Sequence, residues 1–151
     1  MVSKSILVAV VAIPLILIGV YFFTIPLGSI QVPQDTSSLV DILIVIRVPL
    51  EMSDDGSFVV REMSQPFFSV DAKIIKMYGE DVQTFEYRTI DEAQNDIDEV
   101  TPDGQFRNVN VIWVGTPHFY RSDRLIILYV GDHVDIIHRL EDLFGPQFAG
   151  G

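Results

Sequence analysis

Cysteine is absent from this 151-residue chain. A chain without a thiol has no disulfide framework, no thiolate metal site, no cysteine nucleophile and no lipid-carrying cysteine of the bacterial lipoprotein type. Its composition is otherwise that of a folded protein, with 48% hydrophobic and 21% charged residues, which excludes disordered and fibrous chains. The length fits one domain with a core of its own.

Positive charge is scarce. The chain has 10 Lys and Arg against 21 Asp and Glu, and its formal net charge is -11. Because Lys4 is the only charged residue before Asp35, the remaining nine bases and 21 acids give the rest of the chain a formal charge of -12. Binding to phosphate depends on Lys and Arg that release counterions. We therefore expect no nucleic-acid partner.

The sequence also lacks the motifs of common catalytic sites, since it has no G-x-S-x-G, H-E-x-x-H, P-loop or dinucleotide-binding glycine pattern. The acidic run from Asp91 to Asp103 does not follow EF-hand spacing and is typical of a solvated helix face. His133 and His138 are five residues apart, which places them on different faces of a helix. We predict no enzyme activity, no catalytic residue, no cofactor and no metal ligand.

Charge is missing between Lys4 and Asp35, where the longest apolar run lies. Residues 6–23 are apolar apart from one glycine and one tyrosine hydroxyl. About 18 residues at 1.5 Å each make a helix of roughly 27 Å, close to the hydrocarbon thickness of a bilayer. We predict a transmembrane helix over residues 5–25, which Pro14 can kink. A cleaved export signal is the alternative, although no clear A-x-A site follows the run.

The charges that flank this segment predict its orientation. Lys4 precedes it and the acidic Asp35 follows it, so the positive-inside rule places residues 1–4 in the cytoplasm. Residues 26–38, with prolines and small polar side chains, are typical of an extended tether. Residues 39–151 are then expected to form a domain outside the cytoplasmic membrane.

The first element of that domain has two interpretations. After Ser37 and Ser38 as candidate caps, apolar side chains repeat at helical spacing at Leu39, Ile42, Leu43 and Ile46. The same region, residues 40–48, is rich in β-branched residues and is also typical of a buried strand. A strand there would fold back on residues 58–62 through the turn at 53–56.

Clearer patterns follow Pro66. Alternating apolar residues on both sides of the turn at 78–80 predict a β-hairpin. Thr89 and Glu92 form a capping box that begins a helix of about ten residues. Val109, Val111 and Trp113 alternate with other residues as a strand would.

A second hairpin is predicted between residues 118–120 and 125–130. A last helix is predicted from Asp132 as N-cap to Gly145, with an apolar face of Val134, Ile137, Leu140 and Leu143. Phe144 and Phe148 are expected to fold back onto the sheet. The order of elements predicts an α+β fold, with a mainly antiparallel sheet and helices packed on one face.

A cluster of large side chains is the best candidate for a ligand or partner surface. Its members are Trp113, His118, Tyr120 and Arg121, which combine aromatic area with an imidazole and a cation near one strand entrance. The competing interpretation is that alternate members belong to the core.

Over residues 65–150 a series of short motifs occurs in order: Gln65-Pro66-Phe67-Phe68-Ser69-Val70, Val82-Gln83, Phe85-Glu86-Tyr87, Pro102-Asp103-Gly104, Pro117-His118-Phe119-Tyr120-Arg121, Leu128-Tyr129-Val130-Gly131-Asp132 and Gly145-Pro146-Gln147-Phe148-Ala149-Gly150. This series resembles a family of small, uncharacterised exported α+β domains of bacteria and archaea, tethered to the membrane as lipoproteins or by an N-terminal helix. The resemblance implies an extracytoplasmic, membrane-tethered domain and favours a helix over residues 38–47. It brings no activity and no catalytic residue.

Two functions are consistent with these features. The first is a single-pass, membrane-anchored binding or interaction module, with the lipid bilayer and a membrane protein as partners, such as an accessory subunit of a membrane complex. The second is a stand-alone domain that binds a small molecule or metal ion at the candidate cluster.

Overall fold

A computed structural model describes residues 32–45, 47–54 and 57–151, which form an α+β domain. In chain order its elements are α1 (Thr36–Val45), β1 (Arg61–Met63), β2 (Ala72–Met77), β3 (Glu80–Glu86), α2 (Ile90–Asp98), β4 (Pro117–Ser122), β5 (Leu125–Val130), α3 (Val134–Phe144) and β6 (Ala149–Gly150). The predicted transmembrane helix over residues 5–25 lies outside the described residues. Within them, no helix has the length and apolar character that crossing a membrane requires.

The six strands form one antiparallel sheet in the order β1-β2-β3-β5-β4-β6. Both predicted hairpins are confirmed, because β2 pairs with β3 and β4 pairs with β5 across two-residue turns. The turn residues Tyr78 and Asp123 have positive φ angles of 51° and 42°, with Gly79 at 85° beside the first. The hairpins meet where β3 pairs with β5.

Apolar side chains cover both faces of the sheet. Alternate residues of β5 enter two separate core clusters, Leu125, Ile127 and Tyr129 in one and Ile126 and Leu128 in the other. The first also contains buried side chains of α1 and α3 and is called the two-helix cluster. The second contains Ala93 of α2 and the buried loop residues Val100 and Phe106, and it is called the aromatic cluster. The expectation that all helices pack on one face is therefore wrong for α2.

Residues 36–45 are helical, so the strand interpretation of this region is wrong. Leu39, Val40 and Leu43 are fully buried in the two-helix cluster. This packing favours the helix, whereas the β-branched content of the segment does not distinguish a helix from a strand. The helix is capped two to three residues earlier than Ser37 and Ser38 suggest, since Asp35 Oδ1 accepts a hydrogen bond of 2.7 Å from the Ser38 amide.

Helix α2 begins as predicted. Thr89 Oγ1 accepts from the Glu92 amide at 3.2 Å, and Glu92 Oε2 accepts from the Thr89 amide at 3.3 Å, which completes the capping box. Helix α3 begins one residue later than predicted, with His133 rather than Asp132 at the N-cap. Asp132 Oδ1 instead accepts from the Thr116 hydroxyl at 2.8 Å.

The predicted apolar face of α3 is partly wrong. Leu140 is fully buried, and Ile137 and Leu143 pack against the two-helix cluster, but Val134 is 61% exposed and Ile136 is buried in its place. The prediction that Phe144 and Phe148 fold back onto the sheet is confirmed. Phe144 packs against the two-helix cluster and Phe148 against the aromatic cluster.

The strand predicted around Val109, Val111 and Trp113 does not form in the structure. These three side chains face the aromatic cluster and Asn110 and Ile112 between them are exposed, so the alternation of a strand is present. Residues 108–115 have no strand partner, and none of their backbone groups makes a hydrogen bond within the described part of the chain.

Candidate functional site

Trp113 belongs to the aromatic cluster. Its Nε1 donates a 2.9 Å hydrogen bond to the Gly104 carbonyl, and its ring lies 5.9 Å from both the Phe67 and Phe119 rings, edge to face in each case. Edge-to-face pairs at this distance add to the stability that burial provides. The contacts of Trp113 therefore hold the loop of residues 104–113 on the sheet.

His118 is buried on the opposite face of β4, with its ring stacked 5.9 Å from the Tyr129 ring. Nδ1 lies 2.6 Å from Gln147 Oε1, and Nε2 lies 3.0 Å from the Gly131 carbonyl oxygen. Gln147 Nε2 donates to the Gly150 carbonyl at 2.9 Å, which fixes the orientation of its amide. The imidazole thus links β4 to the segments that follow β5 and α3.

Tyr120 is fully buried in the two-helix cluster. Its hydroxyl has no hydrogen-bond partner among the described residues. Burial, with the negative charge of Glu141 as a smaller contribution, raises the pKa of Tyr120 to about 12. A side chain with no exposed surface cannot touch a ligand at the surface of this domain.

Arg121 is exposed on the same face as the aromatic cluster. Its Nη1 donates to Gln94 Oε1 at 3.4 Å, and its guanidinium carbon lies 6.0 Å from the centre of the Phe148 ring. A cation at this distance from an aromatic face is attracted by the ring quadrupole. These contacts aim the guanidinium at α2.

The four predicted residues do not form one surface. Side chains alternate along β4, so His118 and Tyr120 enter one face of the sheet, whereas Arg121 lies with Trp113 on the other. Arg121 lines an open groove on the surface of the domain. The side chains of Trp113, His118 and Tyr120 instead make contacts that stabilise the fold.

The groove at Arg121 has a volume of about 640 Å³ and is called the entry groove here, because it lies where the described chain enters the domain. Its lining residues are Val32, Gln34, Ile90, Gln94, Ile97, Arg121, Ser122 and Asp123. Two of these lining residues are joined by a hydrogen bond, since Gln34 Nε2 donates to Asp123 Oδ2 at 3.0 Å.

Two apolar side chains of the entry groove are open to solvent, Val32 at 48% and Ile90 at 56% exposed. Sequence reasoning did not identify them. Ile90 directly follows the cap residue Thr89, so the capping box marks it as the first residue of α2. Val32 lies in the region predicted as a tether, and only folding brings it to α2.

Within the described ranges, no group of three His, Asp or Glu side chains is arranged to hold a metal ion. Three comparisons, with protein-family models, curated proteins and solved structures, find no match to this chain. The function is therefore argued from the geometry of the domain itself.

Proposed function

We propose that this chain is a single-pass membrane protein whose acidic α+β domain lies outside the cytoplasmic membrane and acts as a binding module, as an accessory subunit of a larger membrane complex. Residues 5–25 cross the bilayer, and residues 1–4 are cytoplasmic. The uncharged apolar run and the single lysine before it support this placement. So does the motif series over residues 65–150 that resembles exported, tethered domains.

The entry groove carries the proposal. Val32 follows residues 5–25 by only seven residues, so the groove at Val32 lies close to the membrane surface when residues 5–25 span the bilayer. Seven residues reach at most about 25 Å. A shallow groove with two exposed apolar side chains and the Arg121 cation suits the extramembrane surface of a neighbouring membrane protein.

The topology is tested by labelling a single cysteine. The chain has none of its own, so Asn95→Cys at an exposed position of α2 gives one reactive thiol. A membrane-impermeant maleimide should label this variant in intact spheroplasts, and the protein should resist extraction from the membrane by carbonate. Labelling only after lysis would refute the orientation. Carbonate extraction of a shortened protein would support the cleaved-signal alternative.

The partner is tested by native electrophoresis of mildly solubilised membranes, with mass spectrometry of the proteins that migrate with the chain. We expect a band far above the 17.0 kDa of the chain, which contains the same membrane protein each time. Ile90→Glu should abolish that band. Val134→Glu is the matched control, since Val134 is also the first residue of a helix and is similarly exposed at 61%. An acidic residue is tolerated in a first helical turn, so both variants should fold.

A stand-alone domain that binds a small molecule or metal ion at the envelope is the second candidate, and the size of the entry groove favours it. A volume of about 640 Å³ lies within the usual range for small-molecule sites. Arg121 would then bind an anionic group. A thermal-shift screen of small carboxylates and phosphates tests this candidate, with Arg121→Ala expected to remove the response and the exposed Arg107→Ala expected to retain it. Equal responses of the two variants would reject it.

A further inference from the structure

The first described residues lie along the entry groove. Val32 and Gln34 both line the groove, whereas Pro33 between them is buried. Side chains that alternate between two sides are typical of an extended backbone, and a residue that precedes a proline is restricted mainly to extended conformations. The hydrogen bond from Gln34 to Asp123 holds Gln34 on the groove side. Continued toward the N-terminus, the same alternation assigns Ile30 to the groove side.

We propose that Ile30, a residue outside the described ranges, docks in the entry groove against Ile90. Two residues of extended chain reach at most about 7 Å, so Ile30 lies within that distance of Val32. Ile90 is 56% and Val32 48% exposed, which leaves apolar surface on α2 and on the tether for a further apolar side chain to cover. Transfer of an isoleucine side chain from water onto such a surface is favourable.

The covalent connection favours this occupant over a separate molecule. A separate molecule loses translational and rotational freedom when it binds, whereas only Gln31 separates Ile30 from the groove residue Val32. Because burial of Pro33 and the Gln34 hydrogen bond already hold the chain at this point, few further backbone dihedrals have to be fixed. A contact that is too weak to hold a separate molecule can therefore hold Ile30.

Docking of Ile30 shortens the link between the domain and the membrane. The five residues that follow residue 25 reach at most about 18 Å, compared with about 25 Å for the seven residues that end at Val32. A membrane protein that binds the entry groove must then displace Ile30 before it contacts Ile90. This displacement rests on the proposed function, whereas the docking does not.

The docking is tested by disulfide formation in the purified full chain in detergent micelles, without other membrane proteins. The chain has no cysteine, so the double variant Ile30→Cys and Ile90→Cys carries two thiols only. Under mild oxidation we expect both thiols to be lost in a product with the mass of one chain. In the matched variant, Gln31→Cys replaces Ile30→Cys. Its disulfide yield should be lower by about threefold or more, because alternation places residue 31 on the other side of the chain.

Ile30→Cys with Val134→Cys is the control for non-specific oxidation, since Val134 is also the first residue of a helix and is similarly exposed at 61%. Both thiols of this control should remain free. Free thiols in the Ile30 and Ile90 variant, or equal yields from residues 30 and 31, would overturn the docking. A disulfide-linked dimer would also overturn it, because a second copy would then fill the groove.

Thermal unfolding measures the same contact without a disulfide. Ile30→Ser and Ile90→Ser each remove one side of the contact, so the double variant should lower the melting temperature by less than the sum of the two single shifts. Ile30→Ser and Val134→Ser should be additive, because residue 134 lies on another helix. Additive shifts for Ile30 and Ile90 would contradict the docking.

Native electrophoresis of mildly solubilised membranes tests the displacement of Ile30 by a partner. Ile30→Ser leaves the groove open, so the fraction of the chain in the partner band should rise about twofold or more. An unchanged fraction, or no partner band in either protein, would overturn the displacement. Absence of the band from the parent would overturn the proposed function as well, but the disulfide yield would still decide the docking.

Discussion

The hydroxyl oxygens of Thr36 and Thr84 lie 2.9 Å apart, and both side chains are buried. Thr84 Oγ1 also donates to the Lys73 carbonyl at 3.1 Å. Because a hydroxyl has one hydrogen, Thr36 must be the donor in the Thr36–Thr84 pair. This bond joins the first turn of α1 to β3, an interior strand of the sheet.

Substitution of these two threonines should have unequal effects. Thr84→Val leaves the Thr36 hydroxyl buried without an acceptor, which should lower the free energy of unfolding by about 1–3 kcal/mol. Thr36→Val leaves Thr84 bound to Lys73 and should cost less. The double variant should be more stable than Thr84→Val. Urea unfolding followed by circular dichroism measures all three, and equal losses in the two single variants would contradict the donor assignment.

The cap of α1 should make stability depend on pH. The Ser38 amide, which donates to the Asp35 carboxylate, and the Ser38 side chain hold the pKa of Asp35 below its ordinary value of 3.8. A lowered pKa contributes stability above the ordinary value, and this contribution is lost as the pH falls through the folded-state value. Asp35→Ala should lower the free energy of unfolding by about 1 kcal/mol at pH 7.

Thermal unfolding between pH 7 and pH 3 tests this expectation. The difference between the parent and Asp35→Asn should shrink as the pH falls below 3.8, because the amide oxygen accepts the same hydrogen bond at every pH. A difference that stays constant over this range would show that the carboxylate charge has no role in the cap.

Removal of the side-chain hydroxyl should affect stability differently at Tyr120 and at Tyr129. The Tyr120 hydroxyl is buried without a partner, so Tyr120→Phe should leave stability unchanged or raise it. The Tyr129 hydroxyl donates to Glu80 Oε2 at 2.5 Å and accepts from the His133 amide at 2.9 Å. Tyr129→Phe should therefore cost about 1–3 kcal/mol. Chemical denaturation of the two phenylalanine variants measures the contrast, and a larger loss for Tyr120→Phe would reverse the interpretation.

His118 and Gln147 should be energetically coupled. Their 2.6 Å contact joins β4 to the segment after α3. His118→Ala and Gln147→Ala should each destabilise the domain, and the double variant should lose less than the sum of the two. We expect a coupling free energy of about 0.5–3 kcal/mol from the double-mutant cycle. Additive losses would mean that His118 is held by the Gly131 carbonyl and by packing on Tyr129 alone.

Much of the fold is predictable from the sequence, because local chemistry determines it. The Thr89 and Glu92 capping box and the two hairpins form from residues close in the chain, and the structure confirms all three. Residues 36–45 have one pattern compatible with two structures. Only burial against the sheet, a long-range contact, decides in favour of the helix.

The candidate site was less predictable from the sequence, because long-range contacts form it. Adjacent residues such as Tyr120 and Arg121 look like a cluster in the sequence, but strand alternation sends them to opposite faces. The entry groove instead combines Val32, Ile90 and Arg121, which only the fold brings together. The spacing of these residues in the sequence does not show that they lie close together in the fold.

Four of the six strands form two hairpins that are each closed by a two-residue turn. Hairpins of this kind form within about 1–10 μs from local contacts. Pairing of β3 with β5 must close the chain between residues 86 and 125, and the entropy of loop closure opposes it before any contact is gained. We therefore expect the hairpins to be the fast units of folding and the step that joins them to set the rate at which the domain becomes native.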